Sequence, residues 1–332
     1  MMKKRFLAMT LAGCGGTSSG SSTADAGASD AAGAADETYN ISVIVKLTDG
    51  HFNKVMAGAK AYADEHPNVT VDILSPTSAV SYDEQLNMIE TSLSSPVYDA
   101  VVISPLQSTT AGTLVANTDK AIIALDTDFT SDKKSAFVGT GNEDAAKSGG
   151  TAAAEEAKKR GIEKPTAVII TGVQGDETHD ARMNGYIKGF EEAGGEIIEV
   201  QYCEGLADRA ANAMESVIQK NPNGVDVILS TNDDMALAVA KVIKDSGGAA
   251  YQDTIICGFD GNQSAIEAIQ NGQIAMDIAQ LGYDMGYKAV EAAVNCLEGK
   301  EVASFIDSGA KVIDSSNAKE YIADMKSKGL GD

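Results

Sequence analysis

The chain has 332 residues, enough for two domains of ordinary size, and 26 Lys and Arg against 48 Asp and Glu leave a net charge of −22. That charge works against a nucleic-acid backbone or an anionic membrane surface as partner, because both are bound through clustered cations. Aromatic residues make up 5%, with no Trp, so the cores must be aliphatic and rich in alanine.

Residues 1–14 open with Lys3, Lys4 and Arg5 and run into a short apolar stretch, as in a secretory signal. Within it Leu11-Ala12-Gly13-Cys14 resembles the lipobox of bacterial lipoproteins, which makes Cys14 the expected lipidation site and mature amino terminus. Residues 15–38 are almost entirely Gly, Ser, Thr, Ala and Asp, a composition that cannot build a core. Such a flexible tether reaches about 25–30 Å on average. No later segment has the unbroken apolar run of a membrane-spanning helix.

From residue 40 onward short apolar strands alternate with helices. Strands are predicted at 40–46, 69–74, 100–103 and 121–125, with helices at 52–65, 82–93 and 111–117. The same grammar restarts after Phe137, with helices at 143–160, 181–193, 208–220, 235–243 and 264–270. These alternate with strands at 166–171, 196–201, 225–229, 254–259 and 274–279. A helix at 283–297 and a tail at 317–328 follow. Residues 225–243 state the unit most plainly: a β-branched run, a polar tip with Asn232 or Asp233 placed to cap, then apolar residues at helical spacing. This alternation implies βαβ units and parallel sheets, and there are too many strands for one sheet. The fold class is α/β, as two doubly wound lobes dividing near Gly139-Thr140-Gly141.

In such sheets ligands bind beyond the carboxyl ends of the strands. The residues found there are Asp49, His51, Phe52, Ser104, Asp126, Thr127, Arg182, Asn232, Asp260 and Gln280. They carry both signs of charge and several amides and hydroxyls, without a nucleophile–base pair. The set suits a neutral, hydroxyl-rich ligand. His179-Asp180 has the look of a dyad but no nucleophile placed with it. Asp126, Asp128 and Asp132 lack the Gly and terminal Glu of a calcium loop. No metal and no cofactor are expected. Cys257 and Cys296 read as core thiols; Cys203 follows a strand and could be partly exposed, though an unpaired, buried thiol is the default.

Five stretches, IALD at 123–126, ARMNGY at 181–186, STNDDMALA at 230–238, CGFDG at 257–261 and IAQ at 278–280, resemble type I periplasmic sugar-binding proteins of the ribose- and galactose-binding kind. They follow the order and spacing of that family, and the resemblance runs from about residue 40 to the end. It implies two Rossmann-like lobes, 39–140 plus 281–307 and 141–280 plus 308–332, joined by three crossover segments. It further implies a sugar held between them by Asp126, Arg182, Asn232, Asp260 and Gln280, with Phe52 as stacking aromatic. There are departures. His51 stands where ribose binders have a second aromatic, and Ala207 where a stacking aromatic is expected, with Tyr202 a possible substitute. Ser104 and Thr127 replace an Asn and a larger polar or basic residue.

The resemblance implies a monomeric solute-binding lipoprotein outside the cytoplasm, lipid-anchored to the outer face of the bacterial cell membrane. It would capture a monosaccharide or related polyol and deliver it to the permease of an ABC importer, without nucleic acid as partner and without catalysis. Two alternatives stand beside it: a receptor of the same fold for a sugar-like, autoinducer-type signal, and a sugar-modifying enzyme, which would need turnover. Replacing Asp260 or Arg182 by Ala is expected to abolish binding with little loss of stability.

Overall fold

The structure is a computed structural model that describes residues 37–330 except Ala79 and Gly247. The signal segment, Cys14 and all but the last residues of the tether lie outside the described residues.

The described strands form two six-stranded sheets. The first holds, in spatial order, β11 (Phe305–Asp307), β5 (Lys134–Gly139), β4 (Ala121–Leu125), β3 (Ala100–Ile103), β1 (Tyr39–Ile44) and β2 (Val69–Leu74), every pair parallel. The second holds β12 (Ala310–Asp314), β10 (Met276–Gln280), β9 (Ile255–Asp260), β8 (Val227–Ser230), β6 (Thr166–Thr171) and β7 (Glu196–Tyr202). Central strands such as β3 and β8 are buried at every position, as their unbroken apolar runs require.

Helices cover both faces of each sheet. In the first lobe α1 (Gly50–Glu65) and α9 (Gly282–Leu297) share one face, and α2 (Tyr82–Ser94) and α3 (Ser108–Leu114) the other. In the second, α4 (Asn142–Lys159) and α5 (Glu177–Glu192) lie opposite α6 (Ala207–Lys220), α7 (Asp233–Ser246) and α8 (Gln263–Gln270), with α10 (Ala318–Ser327) against α8. Each of the four faces has its own aliphatic core cluster.

The chain passes between the sheets three times: between Gly139 and Asn142, between Gln280 and Gly282, and between Asp307 and Ala310. One buried side chain from each passage joins the others. The Thr140 hydroxyl donates to Gln280 Oε1 at 2.9 Å and lies 3.4 Å from Ser308 Oγ.

Two differences from the sequence reading have local causes. β5, β11 and β12 mix polar with apolar residues, so their period does not announce a strand. β12 also runs antiparallel to β10, because the chain enters the sheet edge straight from the third passage without a helical crossover. α5 begins at Glu177, four residues before the expected start, because the Asp176 carboxylate caps it by accepting from the N–H groups of Thr178 and His179. Cys203, for which the sequence left partial exposure open beside the buried default, is buried, and burial lifts its thiol to about 11.

α1 and α9 touch backbone to backbone. A Cβ on Gly58 would lie 1.8 Å from the Tyr283 carbonyl oxygen, and one on Gly286 1.8 Å from that of Val55. A Gly58→Ala variant is therefore expected to push the helices apart at a cost of about 3 kcal/mol. A lowered denaturation midpoint with unchanged slope would report it; an unchanged midpoint would contradict the close approach.

Candidate functional site

The strand ends of both sheets carry the predicted polar residues. In the first lobe the Asp49 side chain caps α1, accepting from Phe52 N–H at 2.7 Å. His51 is buried two residues further on, and its Nε2 lies 2.8 Å from Asp126 Oδ1. The Thr127 hydroxyl donates to Asp126 Oδ2 at 3.0 Å, and Lys46 Nζ stands 3.9 Å from the same oxygen. Burial pushes the Asp126 carboxyl up, but the hydrogen bond and charge of His51, aided by Lys46 and Thr127, hold it well below the ordinary carboxylate range. Phe52 is a member of the first-lobe core, its ring edge-on to that of His51. Ser104 is fully buried; its carbonyl accepts from Gln85 Nε2, and its hydroxyl has no partner among the described residues.

In the second lobe Arg182 gathers the site. It is 6% exposed; Nε donates to Asn142 Oδ1 at 2.8 Å, and Nη1 to the Thr231 carbonyl at 2.9 Å and to Asp260 Oδ1 at 3.1 Å. The guanidinium carbon sits 3.9 Å from the Phe259 ring centroid, a cation–π contact. Gln280 Nε2 donates to the same Asp260 oxygen at 2.8 Å. Asn232 caps α7 by accepting from Met235 N–H, and its amide donates to the Gly205 carbonyl.

Asn142 links the two sets. It accepts from Arg182, and with Asp126 and Thr127 it lines a cleft of about 840 Å³ that also meets α3 at Thr109 and the start of α5 at Asp176. Asp126, Thr127, Arg182, Asp260 and Gln280 are thus drawn to one region, with Asn232 beside it through its neighbour Thr231. Asp49, Phe52 and Ser104 are engaged as a cap, in the core and beneath α2. Among the described residues, three non-glycines have positive φ: Asp126 at 61°, Glu204 at 55° and Asp260 at 129°. Two of the three are site carboxylates ending a strand, where strained backbone aims a side chain.

Two neighbours fall outside the ligand-contact set read from the sequence. Asn142 follows the first passage directly. His179 lies three residues before Arg182, on the same helix face, a spacing that could have flagged it. The His179 ring pairs through Nδ1 with the Thr231 hydroxyl at 2.9 Å, not with Asp180. Burial and the Arg182 charge lower its pKa, so the ring is neutral near pH 7 and can donate and accept. Tyr202 is exposed, its hydroxyl 3.7 Å from Met183 Sδ. The described residues contain no cluster of His, Cys, Asp and Glu able to hold a metal ion, and no helix long and apolar enough to cross a membrane.

A family model described as a periplasmic binding protein domain matches residues 41–301. The chain belongs to the periplasmic binding protein family. Membership places its folded part outside the cytoplasm. The D-allose-binding periplasmic protein of Escherichia coli (strain K12) is 28% identical over 245 residues, 70% of this chain and 76% of that one. Among solved structures, GanP, a glucose-galactose binding protein from Geobacillus stearothermophilus, is 28% identical with a TM-score of 0.73, covering 85% of this chain and 99% of that one. A carbohydrate transporter solute binding protein from Agrobacterium radiobacter, in complex with D-arabinose, is 25% identical with a TM-score of 0.72, covering 88% and 98%. The family and these relatives are binding proteins rather than enzymes, with the two-lobed α/β fold seen here.

The burial of Arg182 changes one expectation. Its removal leaves Asp260 uncompensated in a nearly dry setting, so Arg182→Ala costs stability as well as function. A cleaner probe of the first lobe is His51→Ala. Without His51, burial dominates at Asp126, and its carboxyl takes up a proton at higher pH than in the unaltered protein. The Asp126 carboxyl carbon shift, followed by NMR from about pH 2 to about pH 7, should show this displacement; coincident curves would mean that His51 does not govern the group.

Proposed function

We propose that the chain is an extracytoplasmic solute-binding lipoprotein that captures a monosaccharide or related polyol between its lobes and hands it to an ABC importer. One observation carries this reading: Asp126, Thr127 and Asn142 line a cleft of about 840 Å³, a volume in the usual range for small-molecule sites, and Asn142 ties it by a hydrogen bond to the buried Arg182, Asp260 and Gln280 group. Arg182, Asp260, Gln280 and Thr140 form a hydrogen-bonded chain that reaches the cleft through Asn142. Asp126 and Thr127 line the cleft itself, with His51 hydrogen-bonded to Asp126. The charges are largely paired within the protein, so the wall offers directed donors and acceptors with little net charge, as a neutral polyol requires. Asn142 and neutral His179 add amide and imidazole contacts beside Asn232. A ligand held by groups from both lobes binds the approached lobes better than the separated ones and shifts that equilibrium, which is the state a permease would read.

Calorimetry against a panel of neutral sugars and polyols (D-allose, D-ribose, D-arabinose, D-galactose and myo-inositol) tests this reading, because relatives and structural neighbours bind sugars of this class. At least one should bind. Asp260→Asn, which keeps the shape and removes the charge, should weaken it about ten- to a hundredfold. Equal affinity in the variant would displace the ligand from the Arg182–Asp260 group.

For the anchor, Cys14 in its LAGC setting and the core-less tether after it support a lipoprotein at the outer face of the cell membrane. Fatty-acid labelling of the protein in cells, lost in Cys14→Ser with release of the chain from the membrane fraction, is the expected result. Labelling that persists in the variant would refute the assignment.

A further inference from the structure

Asp233 opens α7 and Asp277 lies in β10, and both side chains are fully buried. Their outer oxygens hold the loop that follows β9. Asp277 Oδ1 accepts from Gly261 N–H at 2.8 Å, and Asp233 Oδ2 from Asn262 N–H at 2.7 Å. Their inner oxygens, Asp277 Oδ2 and Asp233 Oδ1, have no donor among the described residues. The two side chains lie within hydrogen-bonding reach of each other. Both inner oxygens crowd one point over Gly258, where a Cβ would stand 2.4 Å from the first and 2.7 Å from the second. Glycine at 258 is what leaves room for the pair.

Two ionised carboxylates are not stable in this arrangement. Like charges at such a distance, out of water, repel strongly, and neither inner oxygen would have a donor. A single proton between them removes one charge and supplies the missing donor, as in other carboxyl pairs that share a site. Burial, with the Asp277 charge beside it, lifts the Asp233 carboxyl well above the ordinary range, and burial lifts Asp277 as well. One negative charge remains, and the cation facing it comes from the other lobe. Lys54 on α1 is 6% exposed and donates to the backbone carbonyls of Gly261 at 2.9 Å and Asp260 at 3.3 Å. Burial pulls its pKa below the lysine value, while the charges of Asp233, Asp260, Asp277 and Asp49 act against that. One short loop therefore gives its N–H groups to the acids and its C=O groups to the lysine. Tyr321 adds its hydroxyl to the Gly261 carbonyl at 3.3 Å.

We propose that Asp233 and Asp277 share one proton and act as positioning residues for the ligand site: with Lys54 as counter-charge, they fix the 260–262 loop and so the direction in which Asp260 is presented. The assignment deepens the sugar-site reading and rests on it only for the ligand, since neither acid reaches the cleft wall. Three measurements test it. The infrared spectrum of the unaltered protein near neutral pH should contain the carbonyl stretch of a buried protonated carboxylic acid, absent from Asp233→Asn and Asp277→Asn. Asn at 277 can accept from Gly261 N–H and donate to Asp233, so it copies the protonated partner, whereas Ala does neither. Amide exchange at Gly261 and Asn262 should stay close to that of the unaltered protein in Asp277→Asn and rise at least tenfold in Asp277→Ala. Affinity for whichever sugar of the panel binds should stay within about threefold in the first and fall about thirtyfold in the second. A missing acid band, or Asn and Ala variants that exchange alike, overturns the proposal. A protein that binds no sugar yet shows the band and the exchange contrast would defeat the sugar reading and leave the shared proton standing.

Discussion

The guanidinium of Arg182 is the constraint on which the second lobe depends. A charged group that has left water is tolerated only where its donors meet acceptors of fixed position. Those acceptors come from the start of α4, the tip of β8 and the tip of β9, while Phe259 of β9 offers the ring it lies on. Four segments remote in sequence are thereby held to a common register at the carboxyl edge of one sheet. Small displacements of any of them would leave a donor or the Asp260 carboxylate unmatched.

The first lobe solves the same problem with a softer set. Asp126 is steadied by His51, Thr127 and Lys46, none of them as rigid as a buried guanidinium. Both site carboxylates stand in left-handed backbone at a strand end, and both are paired within the protein. Asp126 lines the cleft and Asp260 stands behind it through Arg182 and Asn142, so directional hydrogen-bonding groups gather there with little unpaired charge. That combination favours recognition of hydroxyl groups over chemistry on them.

Much of this could be read from the chain because the signals were local. Unbroken apolar runs followed by helical spacing announce β3, β8, β9 and the helices after them, and the switch to polar residues at Asp126, Asn232 and Asp260 marks the working edge. What escaped was non-local. β5, β11 and β12 are strands only because a sheet edge receives them, and nothing in their own period says so. Arg182 was visible in its motif, but its depth depends on three acceptors from three other elements. Lys54 reads as an ordinary solvated helix residue, and Asp233 and Asp277 as a cap and a strand polar residue. Their meeting behind Gly258 is a product of the packing, which a single sequence does not reveal.

The side chains joining the three passages have a mechanical consequence. Gln280 uses one end of its amide to accept from Thr140, which also touches Ser308, and the other end to grip Asp260. Twisting the connectors must therefore pull on the carboxylate, and reorienting the carboxylate must load the connectors. Bending and occupancy are transmitted through one planar group, which works as a strain gauge at the pivot.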